Sequence, residues 1–418
     1  SDLRRTPGLK FASATGQTAD GQQLVSVTVQ LVSEQYCSVS FTPYHAAIGD
    51  VVKANHGCWD AEAKLWIAPL SAHEDLVTAL RSMPNLRAKV DAIPKCVLEA
   101  FGVVVASKAG NAKKAKISPP IVTDVVPYDD RKLPERLRAV LLPFQREGVH
   151  YALQHGGRVL IGDEMGLGKT LQAIAVMLHY QHEWPALVLA PSSLRFNWQD
   201  EFRKWVPSLP LSAVQVVLTS KGIGPLGRSP ITVISYDLAA RMADEIISAN
   251  FQVVVCDESH YLKTATAKRS LVVCTLLKQA KRAILLSGTP ALNRPIELHT
   301  QVALANDCLA LRSTAKLSPC TLTYLFLFTS QISALRPDLY PSMNEFGVRY
   351  CAATQGRFGW EYKGATNLTE LHLVLTRHVM IRRTKDQVLT QLPSKRRQAI
   401  SIHVPKGTVG CKPVRMHW

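Results

Sequence analysis

From about residue 11 to residue 105, short apolar stretches alternate with turn signals. Leu24-Val25-Ser26-Val27-Thr28-Val29 alternates with a period of two, and so does the text around Trp66, which predicts half-buried strands. Further strands are expected over 36–41, at Trp59-Asp60 and through Lys64-Leu65-Trp66-Ile67. Residues 71–81 read as a helix opened by Ser71 as its cap. Together these elements describe a small α+β module, in which Trp59 and Trp66 are expected as core anchors. The stretch Ser107-Lys108-Ala109-Gly110-Asn111-Ala112-Lys113-Lys114-Ala115-Lys116, followed by Ser118-Pro119-Pro120, has no apolar face and ends in prolines. Residues 106–132 are therefore expected to be a basic, proline-bearing linker.

Beyond the linker the period changes. Five apolar runs, 159–161, 186–190, 231–235, 253–256 and 283–287, are separated by segments long enough for helices. Near-continuous apolar strands spaced in this way predict an α/β fold with a buried parallel sheet covered on both faces. Ligands of such sheets bind beyond the carboxyl ends of the strands. The loops after these strands are consequently where chemistry is expected.

Composition narrows the class. Hydrophobic residues make up 47% and charged residues 19% of 418 positions, a globular balance, and the length suggests two to three domains. No apolar run reaches the roughly 18 to 20 residues of a membrane helix. Nine scattered cysteines, with no C-x-x-C pair, fit a reducing compartment and neither a zinc site nor a disulfide framework. The chain opens at Ser1 without Met or a signal pattern, so it is expected to be part of a longer intracellular protein. The formal charge is +17, unevenly spread. Residues 1–120 carry 13 basic and 10 acidic side chains, a difference of +3, whereas 381–418 carry nine basic residues against Asp386, a difference of +8. A polyanion is the first partner such a chain suggests.

Asp163-Glu164-Met165-Gly166-Leu167-Gly168-Lys169-Thr170 follows a strand and opens a helix expected over 171–180. Backbone N–H groups of such a loop cradle phosphate oxygens, Lys169 reaches the β- and γ-phosphates, and Thr170 holds Mg²⁺. Asp163 stands where the general G-x-x-x-x-G-K-[ST] pattern has glycine. Asp257-Glu258-Ser259-His260 ends the strand 253–256, an acidic pair suited to Mg²⁺ coordination by Asp257 and water activation by Glu258. Ser287-Gly288-Thr289-Pro290 ends the next strand, where hydroxyls can sense the γ-phosphate and couple it to nucleic acid. Upstream, the Gln145 amide can pair with a donor and an acceptor on the adenine edge.

The order of these segments resembles the first motor lobe of Swi/Snf-type ATPases of helicase superfamily two. The resemblance rests on Gln145, D-E-M-G-L-G-K-T, Ala190-Pro191-Ser192-Ser193, D-E-S-H and L-S-G-T-P, and Asp163 is that family's usual variant. Phe144-Gln145-Arg146, Glu183-Trp184-Pro185, Asn197-Trp198, 287–291 and Arg294-Pro295 look most similar to the HARP-domain annealing helicases, the actin-dependent-regulator A-like proteins. Residues 11–105 resemble the HARP module itself. The resemblance implies a RecA-like P-loop lobe over 133–403, with ATP and Mg as cofactors. It also implies a nuclear DNA-dependent ATPase and annealing helicase that acts in repair on branched DNA, at single/double-strand junctions and stalled replication forks. A single-strand-binding protein would be a further partner through a segment upstream of Ser1; no membrane is implied. Each rewound step recovers about 1.4 kcal/mol of stacking, so such a motor mainly has to move and displace bound proteins.

Two departures from the family pattern shape the expectation for this chain. Thr300-Gln301 is separated from Ile332-Ser333-Ala334-Leu335 by an unusual insert, 302–331, and removing it restores the pattern. Its boundaries and its Leu325-Phe326-Leu327-Phe328 run imitate a retained intron. Arg382-Arg383-Thr384-Lys385 and Gln391-Leu392-Pro393-Ser394-Lys395 resemble the exit from lobe one, after which 404–418 is a tail outside the pattern. A second RecA-like lobe is then expected to be absent and hydrolysis weak, since arginines supplied across the site contribute about 10³ to 10⁵ in rate. The alternative is a non-motor, DNA-binding fragment of such a protein.

Overall fold

The computed structural model describes residues 23–83, 86–103, 126–220, 225–262, 268–288, 335–336, 339, 343–356, 359–362, 364–388 and 390. The insert 302–331, the tail 404–418, Thr289, and most of the linker 106–132 lie outside the described residues.

The first five strands, β1 (Gln23–Leu31), β2 (Tyr36–Thr42), β3 (Cys58–Asp60), β4 (Leu65–Pro69) and β5 (Leu86–Asp91), form one sheet in the order β3-β4-β2-β1-β5. β1 runs parallel to β5 and antiparallel to β2. The period-two text of β1 has its physical counterpart in burial, because Val25, Val27, Val29 and Leu31 all face the core. Helices Ala46–Ala54 and His73–Arg81 pack there through Ile48, Val52, Leu76 and Leu80. Two expectations fail locally. Helix 73–81 is entered through a 3-10 turn, Leu70–Ala72, with Ala72 rather than Ser71 at the cap position. Trp59 is half exposed, at 51%, because β3 is an edge strand; its indole leans on the ring of Trp66, edge to face at 5.5 Å. Trp66 does pack against the core, close enough that a Cβ on Gly49 would lie 2.8 Å from its ring.

The second sheet has seven strands: β6 (Arg158–Ile161), β7 (Ala186–Ala190), β8 (Val214–Val216), β9 (Ile231–Ser235), β10 (Val253–Cys256), β11 (Arg282–Leu286) and β14 (Met380–Ile381). Their order is β14-β6-β11-β10-β7-β9-β8, with every neighbouring pair parallel. The five apolar runs are the five central strands, buried along their whole length as their composition requires. The two edge strands, β8 and β14, are too short to leave a periodic signal. A small hairpin, β12 (Thr354–Gly356) and β13 (Gly359–Glu361), stands apart.

The first sheet is fastened to the second unit by a buried charge cluster. Arg349, on helix Met343–Tyr350, meets both oxygens of Glu370, on helix Leu368–His378, at 3.0 and 2.6 Å. The same guanidinium donates to the Val29 carbonyl at 2.7 Å and lies 3.1 Å from Asp91, while the Leu31 N–H donates to Glu370 at 3.1 Å. Burial alone would lower the Arg349 pKa, but the hydrogen bonds and charge of Glu370 outweigh it and hold the group charged. Asp91, Val29 and Leu31 belong to β5 and β1, so the ion pair stitches the N-terminal sheet to the helices that lead into β14.

Candidate nucleotide site

β6 lies beside β11, and β11 beside β10, so the loops after these three strands emerge at one edge of the sheet. The loop after β6 turns through two left-handed glycines, Gly166 (φ 88°) and Gly168 (φ 74°), before helix Lys169–His179 begins. A side chain at Gly168 would be strained and would run into Gln145 Nε2, so glycine is what lets helix 143–154 approach this closely. Met165 is exposed, and Thr170 sits half buried in the first turn of the helix.

Lys169 Nζ donates to the carbonyls of Asp163 and Glu164 at 2.9 and 3.4 Å, across the mouth of the loop. Burial lowers its pKa, while Glu258, Asp163 and Asp257 pull it upward. That coupling brings the acidic pair after β10 into the same electrostatic site as the lysine. The third loop joins them, since a Cβ on Gly288 would lie 2.5 Å from the Met165 side chain and 3.5 Å from Lys169 Nζ. Ser287 is buried, and its N–H donates to the Ile161 carbonyl at 3.1 Å.

The two acidic residues have different surroundings. Asp257 is nearly buried; its Oδ2 accepts from the Trp198 indole N–H at 2.9 Å and its Oδ1 from the Glu258 N–H at 2.9 Å. Burial raises its pKa, and the Trp198 hydrogen bond opposes that rise. The Tyr236 hydroxyl donates to the Asp257 carbonyl at 2.7 Å and fixes the backbone. Glu258 occupies the left-handed region, with φ 47°, a conformation a non-glycine residue holds only at an energetic cost. Its Oε2 lies 3.1 Å from His260 Nδ1.

Two residues of the nucleotide loop and its neighbour are spent differently from what the sequence suggests. The Gln145 amide accepts from the Leu142 N–H at 3.0 Å and donates to the Leu167 carbonyl at 3.0 Å. One acceptor and one donor position remain for a base edge, and the other two tie helix Pro143–Gln154 to the loop. Asp163 is fully buried, with both carboxylate oxygens engaged by Arg383 and Gln172. Its side chain shapes the loop and does not face the phosphate-binding mouth. Trp198, Gln172 and Arg383 as partners of the acidic residues were not foreseeable from local spacing. The one signal was Asp163 itself, because a charge in place of glycine in a buried loop demands a counter-charge.

Glycines at the positions a phosphate must approach, a lysine that donates to loop carbonyls, and two carboxylates at the end of β10, one strand removed from β6, define the class: a P-loop nucleotide-binding lobe. Residues 135–314 match the SNF2-related domain. The chain is similar to the Xenopus laevis SWI/SNF-related matrix-associated actin-dependent regulator of chromatin subfamily A-like protein 1, with 39% identity over 365 residues, 87% of this chain and 33% of that protein. It is also similar to the Bos taurus DNA annealing helicase and endonuclease ZRANB3, with 42% identity over 281 residues, 65% of this chain and 23% of that protein. The chain thus spans a third or less of the length of these two curated relatives. A solved Sulfolobus solfataricus SWI2/SNF2 ATPase core in complex with dsDNA aligns with 62% of this chain and 48% of that one, at 23% identity and a TM-score of 0.44.

Proposed function

We propose that this chain carries the ATP-binding lobe of a nuclear, DNA-dependent ATPase that reanneals strands in branched DNA, at junctions and stalled forks in DNA repair. The observation that carries the reading is the convergence of Lys169, the Asp257–Glu258 pair and Ser287-Gly288 at the ends of three adjacent parallel strands. The relatives' names, a chromatin regulator and a DNA annealing helicase, support the class of substrate and the nucleus. The +17 charge supports a polyanionic partner.

In this reading Lys169 exchanges its loop carbonyls for the β- and γ-phosphate oxygens, and the loop N–H groups from Gly166 to Thr170 complete the cradle. Thr170 and the free lone pairs of Asp257 would hold Mg²⁺, which neutralises phosphate charge when bound. Glu258 orients the attacking water and takes its proton, with His260 beside the carboxylate. Gln145 offers its remaining donor and acceptor to adenine. Ser287, Gly288 and Thr289 couple the phosphate state to DNA. Residues 23–103, part of the HARP-like region 11–105, present the half-exposed Trp59 as a surface for unpaired bases.

The test is hydrolysis of ATP, stimulated by forked DNA, in Lys169→Ala and Glu258→Gln variants of a full-length version that carries a second lobe. Both side chains serve phosphate and water rather than the core, so turnover should fall by about 10² or more with the fold retained. DNA-stimulated turnover equal to that of the unaltered chain in either variant would refute the site.

A further inference from the structure

Asp163 and Glu164 are the two residues whose carbonyls Lys169 holds, and both are gripped by one distant segment. The Arg383 guanidinium places Nε 3.0 Å from Asp163 Oδ1 and Nη2 2.6 Å from Oδ2, and the Arg383 N–H donates to the same Oδ1 at 3.0 Å. Nη2 also donates to Gln172 Oε1 at 3.0 Å, and Gln172 Nε2 returns to Asp163 Oδ2 at 2.9 Å, closing a ring of three side chains. Nη1 donates to the Phe144 carbonyl on the helix that carries Gln145. Next door, the Lys385 N–H donates to Glu164 Oε2 at 2.8 Å and its ammonium lies 3.2 Å from Oε1, while the Glu164 N–H donates to the Arg383 carbonyl at 2.9 Å. The ring is closely packed: a Cβ on Gly148 would lie 2.7 Å from Arg383 Nη2 and closer still to Gln172.

The segment 382–385 directly continues β14, which pairs with β6, and the nucleotide loop directly continues β6. One forked guanidinium therefore fixes the first residue of the loop, the helix behind it and the strand beside it. Arg383 touches no position where substrate would lie; it acts through Asp163.

We infer that Arg383 is a positioning residue for nucleotide binding, holding the phosphate loop in register through the buried Asp163 carboxylate, so that the segment leaving the lobe sets the loop's affinity for nucleotide. The inference rests on the ATP-binding reading above. A lysine could supply the charge but not the planar two-point fit, so the geometry and not the charge alone carries the role.

The experiment titrates the full 418-residue chain with a fluorescent ADP analogue and Mg²⁺, alongside thermal melting, for the unaltered chain and for Arg383→Lys, Arg383→Ala, Asp163→Asn and the double variant Asp163→Ala/Arg383→Ala. Arg383→Lys should keep its melting temperature within a few degrees and bind ADP about tenfold more weakly. Arg383→Ala and Asp163→Asn should be at least as impaired, and the double variant no worse than either alone, because one linkage is lost in each case. Where an alanine variant does not fold, Arg383→Lys still decides the matter. ADP affinity unchanged in a folded Arg383→Lys and in a folded Asp163→Asn, whatever their melting temperatures, overturns the positioning role while leaving the nucleotide site standing. An unaltered chain that fails to bind ADP overturns the nucleotide site and this inference with it.

Discussion

Trp198 shows how a single hydrogen bond tunes the acidic pair. Asp257 must be ionised to hold a cation, yet burial raises its pKa, and the indole N–H at 2.9 Å is the largest of the effects pulling it back. Trp198→Phe removes that donor and keeps most of the packing, so the pKa should rise further and the acid limb of the hydrolysis profile should move to higher pH. A pH–rate profile checks this, and an unmoved acid limb would show that Asp257 does not control it. At this scale the sequence was legible where chemistry sits on consecutive residues, as in 163–170 and 257–260. It was silent on partners: Trp198 stands 59 positions from Asp257, and Arg383 stands 220 from Asp163. No local period joins residues so far apart, and only the tertiary fold reveals that Asp163 spends its carboxylate, and Gln145 half of its amide, on the protein itself.

Among the elements, the helices 343–350 and 368–378 have the clearest energetic signature. Arg349 and Glu370 are almost wholly buried, so Glu370→Gln would leave the guanidinium with the largely exposed Asp91 as its counter-charge. Breaking one side of such a pair costs about 3 to 5 kcal/mol, and thermal unfolding of this variant should become less cooperative, with residues 23–103 released first. Protease sensitivity of that region, measured below the main transition, is the check. His73 lies in the same neighbourhood, its ring nitrogen accepting from the Ile93 N–H at 3.3 Å. Burial lowers its pKa to about 4, with Glu74 and Glu370 pulling it up and Arg349 and Arg81 pushing it down. A histidine depressed in the folded state contributes stability above its unfolded pKa of about 6.5 and loses it as pH falls through its folded value. Stability should therefore drop between about pH 6.5 and 4, and His73→Gln should flatten that drop in denaturant titrations at each pH. These elements were only partly legible. Period-two burial announced β1, and continuous apolar runs announced the central strands, whereas β14 is two residues long and is set by its pairing with β6 rather than by composition.

For the molecule as a whole, the excess of Lys and Arg predicts DNA binding that weakens steeply with salt, because each neutralised phosphate releases counterions. Even four or five phosphate contacts would cost about 10²-fold in affinity between ~50 and ~200 mM salt, measurable by anisotropy. Trp59→Ala should lower affinity for forked DNA while leaving linear duplex unchanged, since base stacking contributes about 1 to 3 kcal/mol per base and needs unpaired bases. Equal fork affinities of Trp59→Ala and the unaltered chain would remove the tryptophan from recognition. The 220-position gap between Asp163 and Arg383 also has a bearing on biosynthesis. At roughly 5 to 20 residues per second, a ribosome that has just made the nucleotide loop needs about 10 to 45 seconds more to deliver the arginine that neutralises it. Over the last part of that interval, once β11 has been made, the growing chain holds the apolar strands of the sheet without β14, and throughout it a carboxylate without its counter-charge. The lobe can therefore close its loop network only after residue 383 has been made.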